Sequence, residues 1–289
     1  MSGPLPGSPP RVTIVTPSFN QGEFIADTIE SVLLQDYPAI EYLVMDGGST
    51  DATLDVLRSY GDRVAWRSQP DAGQPDAIAK GFEAGTGELL AWINSDDRYL
   101  PGAITALVAE MEAHPEVGLV YGNGQFVDRG GSVVGPAPVE PWDLKALIDR
   151  NNYVFQPATL FRRSVYEKAG GLDRALHYVM DYDLWIRLGQ VAPVRHVDQV
   201  VAQARAYPQV KSYTGGLRRL DELTTMIRSR GGRGLPSAFR REMWLALRGE
   251  IAAALRQRRF DRAIGLTIRA LPYGARAASW RVRRLLGRG

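Results

Sequence analysis

The sequence predicts an α/β fold, a doubly wound and mostly parallel sheet followed by a basic, helical C-terminal extension. Three observations carry it. Apolar, β-branched runs alternate with helix-patterned segments four times between residues 11 and 125, which is the pattern of parallel strands joined by crossover helices. Each run ends in a small or acidic tip. Charge is also split along the chain: residues 1–204 hold 15 Lys/Arg against 27 Asp/Glu, a net of −12, whereas residues 205–289 hold 20 against 5, a net of +15. That asymmetry predicts an acidic body and a basic tail that meets something anionic.

In order, Val12 to Thr16 (VTIVT) reads as a buried strand running into Pro17-Ser18. Gln21-Gly22 lead into a helix with Phe24, Ile25, Ile29, Val32 and Leu33 on one face. Glu41 to Met45 is the second strand, and Asp46-Gly47-Gly48-Ser49-Thr50-Asp51 follows it. Thr50 is the expected N-cap of the next helix, with Asp51 in its first turn. The third strand, Val64 to Arg67, ends at Asp71-Ala72-Gly73, and Pro75 suits the opening turn of the helix Asp76 to Ala84.

The fourth run, Leu89 to Ile93, is apolar throughout and breaks into Asn94-Ser95-Asp96-Asp97. Such a run reads as a strand buried on both faces. Open α/β sheets bind ligands outside the carboxyl ends of their strands, so all four tips fall along one edge where a nucleotide and a cation can be held. Adjacent carboxylates suit Mg²⁺ or Mn²⁺, which take oxygen ligands and share them with substrate phosphates. A solvated Asp-Asp turn would give the same dipeptide.

Beyond Val117 to Tyr121 the spacing changes. A hairpin is expected over Gln125 to Val134, a helix over Trp142 to Asp149, a strand over Ala158 to Phe161, a helix over Ser164 to Ala169 and two short strands within Val194 to Arg205. Met180 to Leu188 (MDYDLWIRL) reads as a helix whose start carries Asp181 toward a cleft. Domain boundaries are accordingly placed at a flexible leader, 1–10, a sheet domain, 11–210, in two halves (11–125, with the nucleotide edge, and 126–210), and the basic region 211–289.

Composition narrows the chemistry. With 289 residues, 45% apolar and 23% charged, the chain has material for one large or two modest globular domains. It contains no cysteine and three histidines, which excludes disulfides and thiolate metal sites and leaves little for zinc. MSGPLPGSPP lacks the basic and apolar segments of a signal peptide, and no apolar window is long enough for a membrane-spanning helix.

TPSFN (Thr16 to Asn20), DGGSTD (Asp46 to Asp51), NSDD (Asn94 to Asp97) and MDYDLWIRL occur in an order and spacing that resemble the family 2 glycosyltransferases of GT-A fold. The resemblance covers about residues 11–205. It implies an inverting transfer of a sugar from a nucleotide diphosphate sugar, UDP-linked by expectation, to a saccharide or lipid-linked acceptor hydroxyl. By the same resemblance Asp181 is the general base, Asp46 reads the base, and Thr16, Pro17, Ser18 and Glu23 border base and ribose. Ser95 and Asp96 belong to the donor site and Asp96 and Asp97 to the Mg²⁺ or Mn²⁺ site, while Lys80 is either a phosphate partner or a solvated surface lysine. Gln156 is either part of the acceptor wall or a plain loop residue, and Trp185 either lines the acceptor pocket or packs in the core.

The pattern departs at Asn94, Gly47 and Met180, where the family carries acidic residues, and at Ile78-Ala79, where it carries Arg-Asn. No QxxRW motif appears, which points to a non-processive enzyme. Cell-surface polysaccharide or glycolipid synthesis and a cytoplasmic location are implied. Arg240-Arg241, Arg256, Arg258-Arg259, Arg281 and Arg283-Arg284 interleaved with Trp244, Leu245, Leu247, Ile251, Leu255, Ile264, Leu266, Ile268 and Trp280 suit either peripheral contact with an anionic membrane or packing on protein. The tail has no zinc-finger or RNP-like pattern, so no nucleic-acid partner is expected. Two rivals stand beside this reading. A sugar-nucleotide pyrophosphorylase would need a Gly-rich, basic loop after strand one, and SFNQGEF is not one. A non-catalytic nucleotide-sugar-binding or membrane-associated protein retaining the fold would not need Asp181.

Overall fold

A computed structural model of the chain describes residues 8–285, with side chains except at 212–213 and 274–285. Residues 1–7 of the expected leader lie outside the described residues, as do the side chains of Trp280, Arg281, Arg283 and Arg284. The chain divides into two compact units: residues up to Leu144 with Tyr153–Pro208, and Lys145–Asn152 with the chain from Gln209 on.

The first unit is built on one mixed sheet. Its elements in order are β1 (Val12–Ser18), α1 (Ile25–Leu33), β2 (Ile40–Asp46), α2 (Thr53–Ser59), β3 (Ala65–Ser68), α3 (Gln74–Ala84), β4 (Leu89–Trp92), β5 (Arg98–Tyr99), α4 (Ala103–Ala113), β6 (Leu119–Val127) and β7 (Val133–Pro136). After α5 (Leu144–Asp149), which spans the division between the units, come β8 (Thr159–Arg162), α6 (Arg163–Lys168), α7 (Met180–Val191) and β9 (Val194–Arg205). The strand order is β3-β2-β1-β4-β8-β6-β9-β5, with β7 on β6. The strands from β3 to β4 are parallel, and β8 then enters antiparallel to both β4 and β6. The order reverses between β1 and β4. That makes their carboxyl ends the switch point where an open α/β sheet forms its crevice.

β4 is buried on both faces, as its unbroken apolar run requires. Leu89, Ala91 and Ile93 join Ile25, Ile29 and Val32 of α1 and Ile104, Leu107 and Met111 of α4 in one core. Trp92 faces the other way, edge-on to Phe82 and Phe161 and stacked on Trp185 with ring centroids 5.3 Å apart. α3 lies close against β1: a Cβ on Gly81 would stand 2.6 Å from both Val15 methyls, so this helix seats only with glycine there.

Two local expectations are corrected. The N-cap position of α2 is Ala52, not Thr50, and Asp51 just before it fixes the entry turn: its Oδ1 accepts from Thr53 N at 3.0 Å while Oδ2 accepts from Gly22 N at 3.0 Å. The segment expected as two short strands is one strand, β9. The sequence breaks at Asp198-Gln199, but the ladder to β6 absorbs the break as a bulge, pairing Gly122 with Val197 and Asn123 with Val200. The expected hairpin over Gln125 to Val134 is present: Gln125 to Val127 end β6, the chain turns at Gly130-Gly131, and it returns antiparallel as β7.

The second unit is helical: α8 (Lys211–Thr214), α9 (Gly216–Ser229), α10 (Arg240–Arg256) and α11 (Phe260–Leu285). Among the described residues its buried apolar side chains are Leu147, Leu220, Leu223, Met226, Ile227, Leu235, Met243, Leu247, Ala254, Ala263 and Ala270. Among the described residues no helix is long and apolar enough to cross a membrane.

Candidate active site

The parallel register levels the strand ends. Ser18 of β1 pairs with Asp46 of β2, and Asp46 with Ser68 of β3. Asp46 is 2% exposed and fully engaged: Oδ2 accepts from Gly48 N (3.1 Å), Ser49 N (2.9 Å) and Ser68 Oγ (2.7 Å), and Oδ1 from Ser49 Oγ (2.5 Å). It therefore holds the Asp46–Asp51 loop in shape, with Gly48 in the left-handed region at φ 85°. Gly47 has its own reason to be small, since a Cβ there would meet Asp71 Oδ2 at 2.8 Å. Beside Asp46, Ser18 is 5% exposed and its Oγ has no hydrogen-bond partner. Phe19, the next residue, is 61% exposed.

Ile93 N donates to Val15 O, so the β4 tip emerges level with the end of β1. An amide relay locks it. Gln74 Nε2 donates to Asn94 Oδ1 (2.7 Å), and Asn94 Nδ2 donates to Asp97 Oδ2 (3.0 Å) and Gln156 Oε1 (3.0 Å). Gln156 Nε2 in turn donates to Trp92 O (2.8 Å). Asp97 points into the fold: its Oδ1 accepts from Arg205 N at 3.0 Å, so both oxygens are already bonded. Ser95 is buried. Asp96 is the more open of the two carboxylates, with Oδ2 accepting from Tyr207 Oη at 2.9 Å. Burial raises Asp96 above the usual carboxylate range. Asp97 is raised well above it, first by burial and then by the neighbouring Asp96 charge.

The end of strand β9 and the residues just after it supply two side chains at this edge that sequence reasoning did not single out. Arg205 donates to Asp96 O (3.1 Å), Arg129 O (2.7 Å) and Asp27 Oδ2 (2.8 Å), and lies 4.7 Å over the Phe24 ring. Tyr207 packs on Phe24 at 5.3 Å while holding Asp96. No local pattern marks either, because their partners lie across the sheet.

Asp181 is placed by register as well. Val194, where β9 starts, pairs with Leu119, Leu119 with Phe161, and Phe161 with Leu90. α7 therefore ends level with the start of β4 and runs back against it, with Trp185 stacked on Trp92. Asp181 is one turn before Trp185, about 6 Å further along at 1.5 Å per residue, which brings it to the level of the β4 tip. It is half-buried in the first turn of α7, where the helix dipole favours a carboxylate.

Four expected ligand contacts are answered by protein partners. Trp185 is fully buried between Trp92 and Phe161 and lines no acceptor surface, because α7 turns it onto β4. Thr16 is fully buried within the sheet, its hydroxyl 3.0 Å from Tyr42 Oη. Glu23 forms a two-point ion pair with Arg129. Lys80 lies 2.7 Å from Asp76 Oδ2, which Arg174 also binds.

The donor set itself decides what cation would fit. Among the described residues no three His, Cys, Asp or Glu side chains converge. A single open carboxylate, Asp96, suits a cation that completes its shell with substrate phosphates and water.

The fold and the edge together define a GT-A nucleotide-sugar transferase architecture. Residues 13–170 match the family model "Glycosyl transferase family 2", and the chain belongs to that family. An uncharacterized glycosyltransferase of Mycobacterium tuberculosis is 28% identical over 246 residues, covering 81% of this chain and 91% of the relative. One from Rickettsia felis is 26% identical over 209 residues, 69% of this chain, which spans only 35% of that relative's length. Among solved structures, Staphylococcus aureus TarS in complex with UDP-GlcNAc aligns with a TM-score of 0.63 at 14% identity, over 82% of this chain and 71% of that one. The mannosyltransferase PcManGT from Pyrobaculum calidifontis, in complex with GDP-Man and Mn²⁺, aligns with a TM-score of 0.61 at 19% identity, over 99% and 90%.

Proposed function

We propose that this chain is an inverting, non-processive glycosyltransferase that moves a sugar from a UDP-linked donor to an acceptor hydroxyl in cell-surface polysaccharide or glycolipid synthesis. The observation that carries the reading is the gathering of Ser18, Asp46, Asp96 and Asp181 at the carboxyl edge of the sheet, around its switch point. The unpartnered Ser18 hydroxyl and the exposed Phe19 ring supply a hydrogen bond and a stacking face for base and ribose. Asp46 shapes the loop beneath them. Asp96 is the residue that would hold Mg²⁺ or Mn²⁺ together with the donor diphosphate. When bound, the cation offsets the charge that develops on the leaving diphosphate.

Asp181 takes the proton from the acceptor hydroxyl as its oxygen bonds to the anomeric carbon and the bond to the diphosphate breaks. One displacement inverts the centre and needs no enzyme nucleophile. The neighbours bound to UDP-GlcNAc and to GDP-Man with Mn²⁺ support the donor class and the cation. Peripheral placement on the cytoplasmic face of the membrane belongs to the same reading, since it brings a lipid-linked acceptor within reach.

The test is a panel of nucleotide sugars with Mn²⁺, read by nucleotide release and by calorimetry, for wild type and Asp181→Asn. Donor affinity should persist in the variant while turnover falls about 10²- to 10⁴-fold. Turnover at the wild-type rate would remove Asp181 from the chemistry.

A further inference from the structure

The second unit carries an apolar stripe that its own fold leaves uncovered. Phe260, Ile264, Ile268 and Leu271 recur at turn spacing along α11, so they share one face over about 16 Å of helix. They are 60%, 60%, 62% and 68% exposed, whereas Ala263 and Ala270 on the adjoining face are buried. Contiguous exposed apolar surface of this kind marks an interaction site.

What surrounds the stripe names its partner. Leu255, 49% exposed, ends α10, and the turn into α11 presents Arg256, Arg258 and Arg259, all exposed. Arg258 sits at φ 56°, in the left-handed region. Other arginines of this hairpin have acidic partners, Arg262 with Glu250 and Arg269 with Asp221. Arg256, Arg258 and Arg259 have none among the described residues. A helix with large apolar residues on one flank and unneutralised arginines at its start is built to lie in the interface of an anionic bilayer. A parallel pairing of two copies would set these arginines against one another, whereas an anionic bilayer neutralises them.

We infer that α11 and the α10–α11 turn form a membrane-docking face, with Phe260, Ile264, Ile268 and Leu271 entering the acyl boundary and Arg256, Arg258 and Arg259 contacting phosphate headgroups of anionic lipid. The inference extends the peripheral placement proposed above by assigning its surface. Its readout is binding without donor or acceptor, so its failure leaves the transfer chemistry standing.

The experiment is co-sedimentation of the full chain with phosphatidylglycerol-containing and pure phosphatidylcholine vesicles at low and high salt. Wild type should bind the anionic vesicles only, and less at high salt. Arg256→Gln with Arg258→Gln and Arg259→Gln should weaken binding about 100-fold, from about fivefold per basic residue. Ile264→Asp with Ile268→Asp should abolish it at any salt, with helicity by circular dichroism unchanged. Full-length protein that ignores anionic vesicles at low salt, variants that bind like wild type, or a wild-type dimer in sedimentation velocity that Ile264→Asp with Ile268→Asp dissolves would each overturn the assignment.

Discussion

Replacing Asp96 by Asn should move two stabilities in opposite directions. Asn keeps the side-chain shape and an oxygen for the Tyr207 hydroxyl, which stands 2.9 Å from Asp96 Oδ2, but it removes the charge. In the protein without ligand that charge is a burden, because Asp97 is raised well above the usual range by burial and then by Asp96 itself. A folded carboxyl whose titration lies above its unfolded value weakens the ionised native state, and each unit of relief on Asp97 is worth about 1.4 kcal/mol near neutral pH. For a domain of this size that corresponds to a melting temperature about 3–6 °C higher. With Mn²⁺ and UDP at a hundredfold over Kd, wild type should gain about 2.7 kcal/mol, or about 5–10 °C. The variant should gain nothing. Differential scanning fluorimetry with and without Mn²⁺–UDP reads both. A ligand-free variant that melts below wild type, or one that keeps the Mn²⁺–UDP shift, would refute the reasoning that Asp96 is the strained carboxylate a cation relieves.

The same pair predicts a pH dependence. Asp96 and Asp97 titrate above the ordinary range, so their contribution to stability is present below it and is lost as pH rises through their folded values. Glu41, Asp51 and Asp76 are held low by hydrogen bonds and, for Asp76, by Lys80, so theirs is present above that range and lost as pH falls. The thermal shift given by Mn²⁺ should therefore grow as pH rises from the ordinary carboxylate range through the raised Asp96 titration, since metal binding displaces protons; a flat response would count against Asp96. Tyr207→Phe removes a hydrogen bond that lowers the Asp96 titration, so the acidic limb of the kcat/KM profile should move up by about one unit; an unmoved limb separates Tyr207 from the site. Asp183 is fully buried against Arg187, 2.7 Å away. Asp183→Asn should cost about 3–5 kcal/mol in urea unfolding, and a loss below about 1 kcal/mol would mean the pair is dispensable.

Much of the nucleotide half was legible because its strands are short, apolar and closed by polar tips. A run such as Leu89 to Ile93 has no other way to bury both faces, and its exit at Asn94 follows. The helix at Met180 was legible for a similar reason, with Leu184 and Leu188 sharing a face. What periodicity left open was direction. Trp185 and Asp181 share one helix, yet one turns into the aromatic core and the other stays half-buried, and periodicity does not say which neighbour an aromatic ring meets. Thr16 and Ser18 read alike as strand-end hydroxyls. Both lie buried on the same face of β1; the Tyr42 hydroxyl answers the first, and the second is left without a hydrogen-bond partner.

The amino-acid sequence by itself determined the alternation of elements, the edge where acidic tips collect and the separation of a basic helical tail, because hydrophobic period, turn chemistry and charge are properties of local sequence. Only the tertiary structure decided which carboxylate is open and which is locked. Asp96 and Asp97 are neighbours of identical chemistry, and they differ because Arg205 N and Asn94 reach one while Tyr207 reaches the other. Those contacts span up to 111 residues of chain, a distance over which no local pattern carries information.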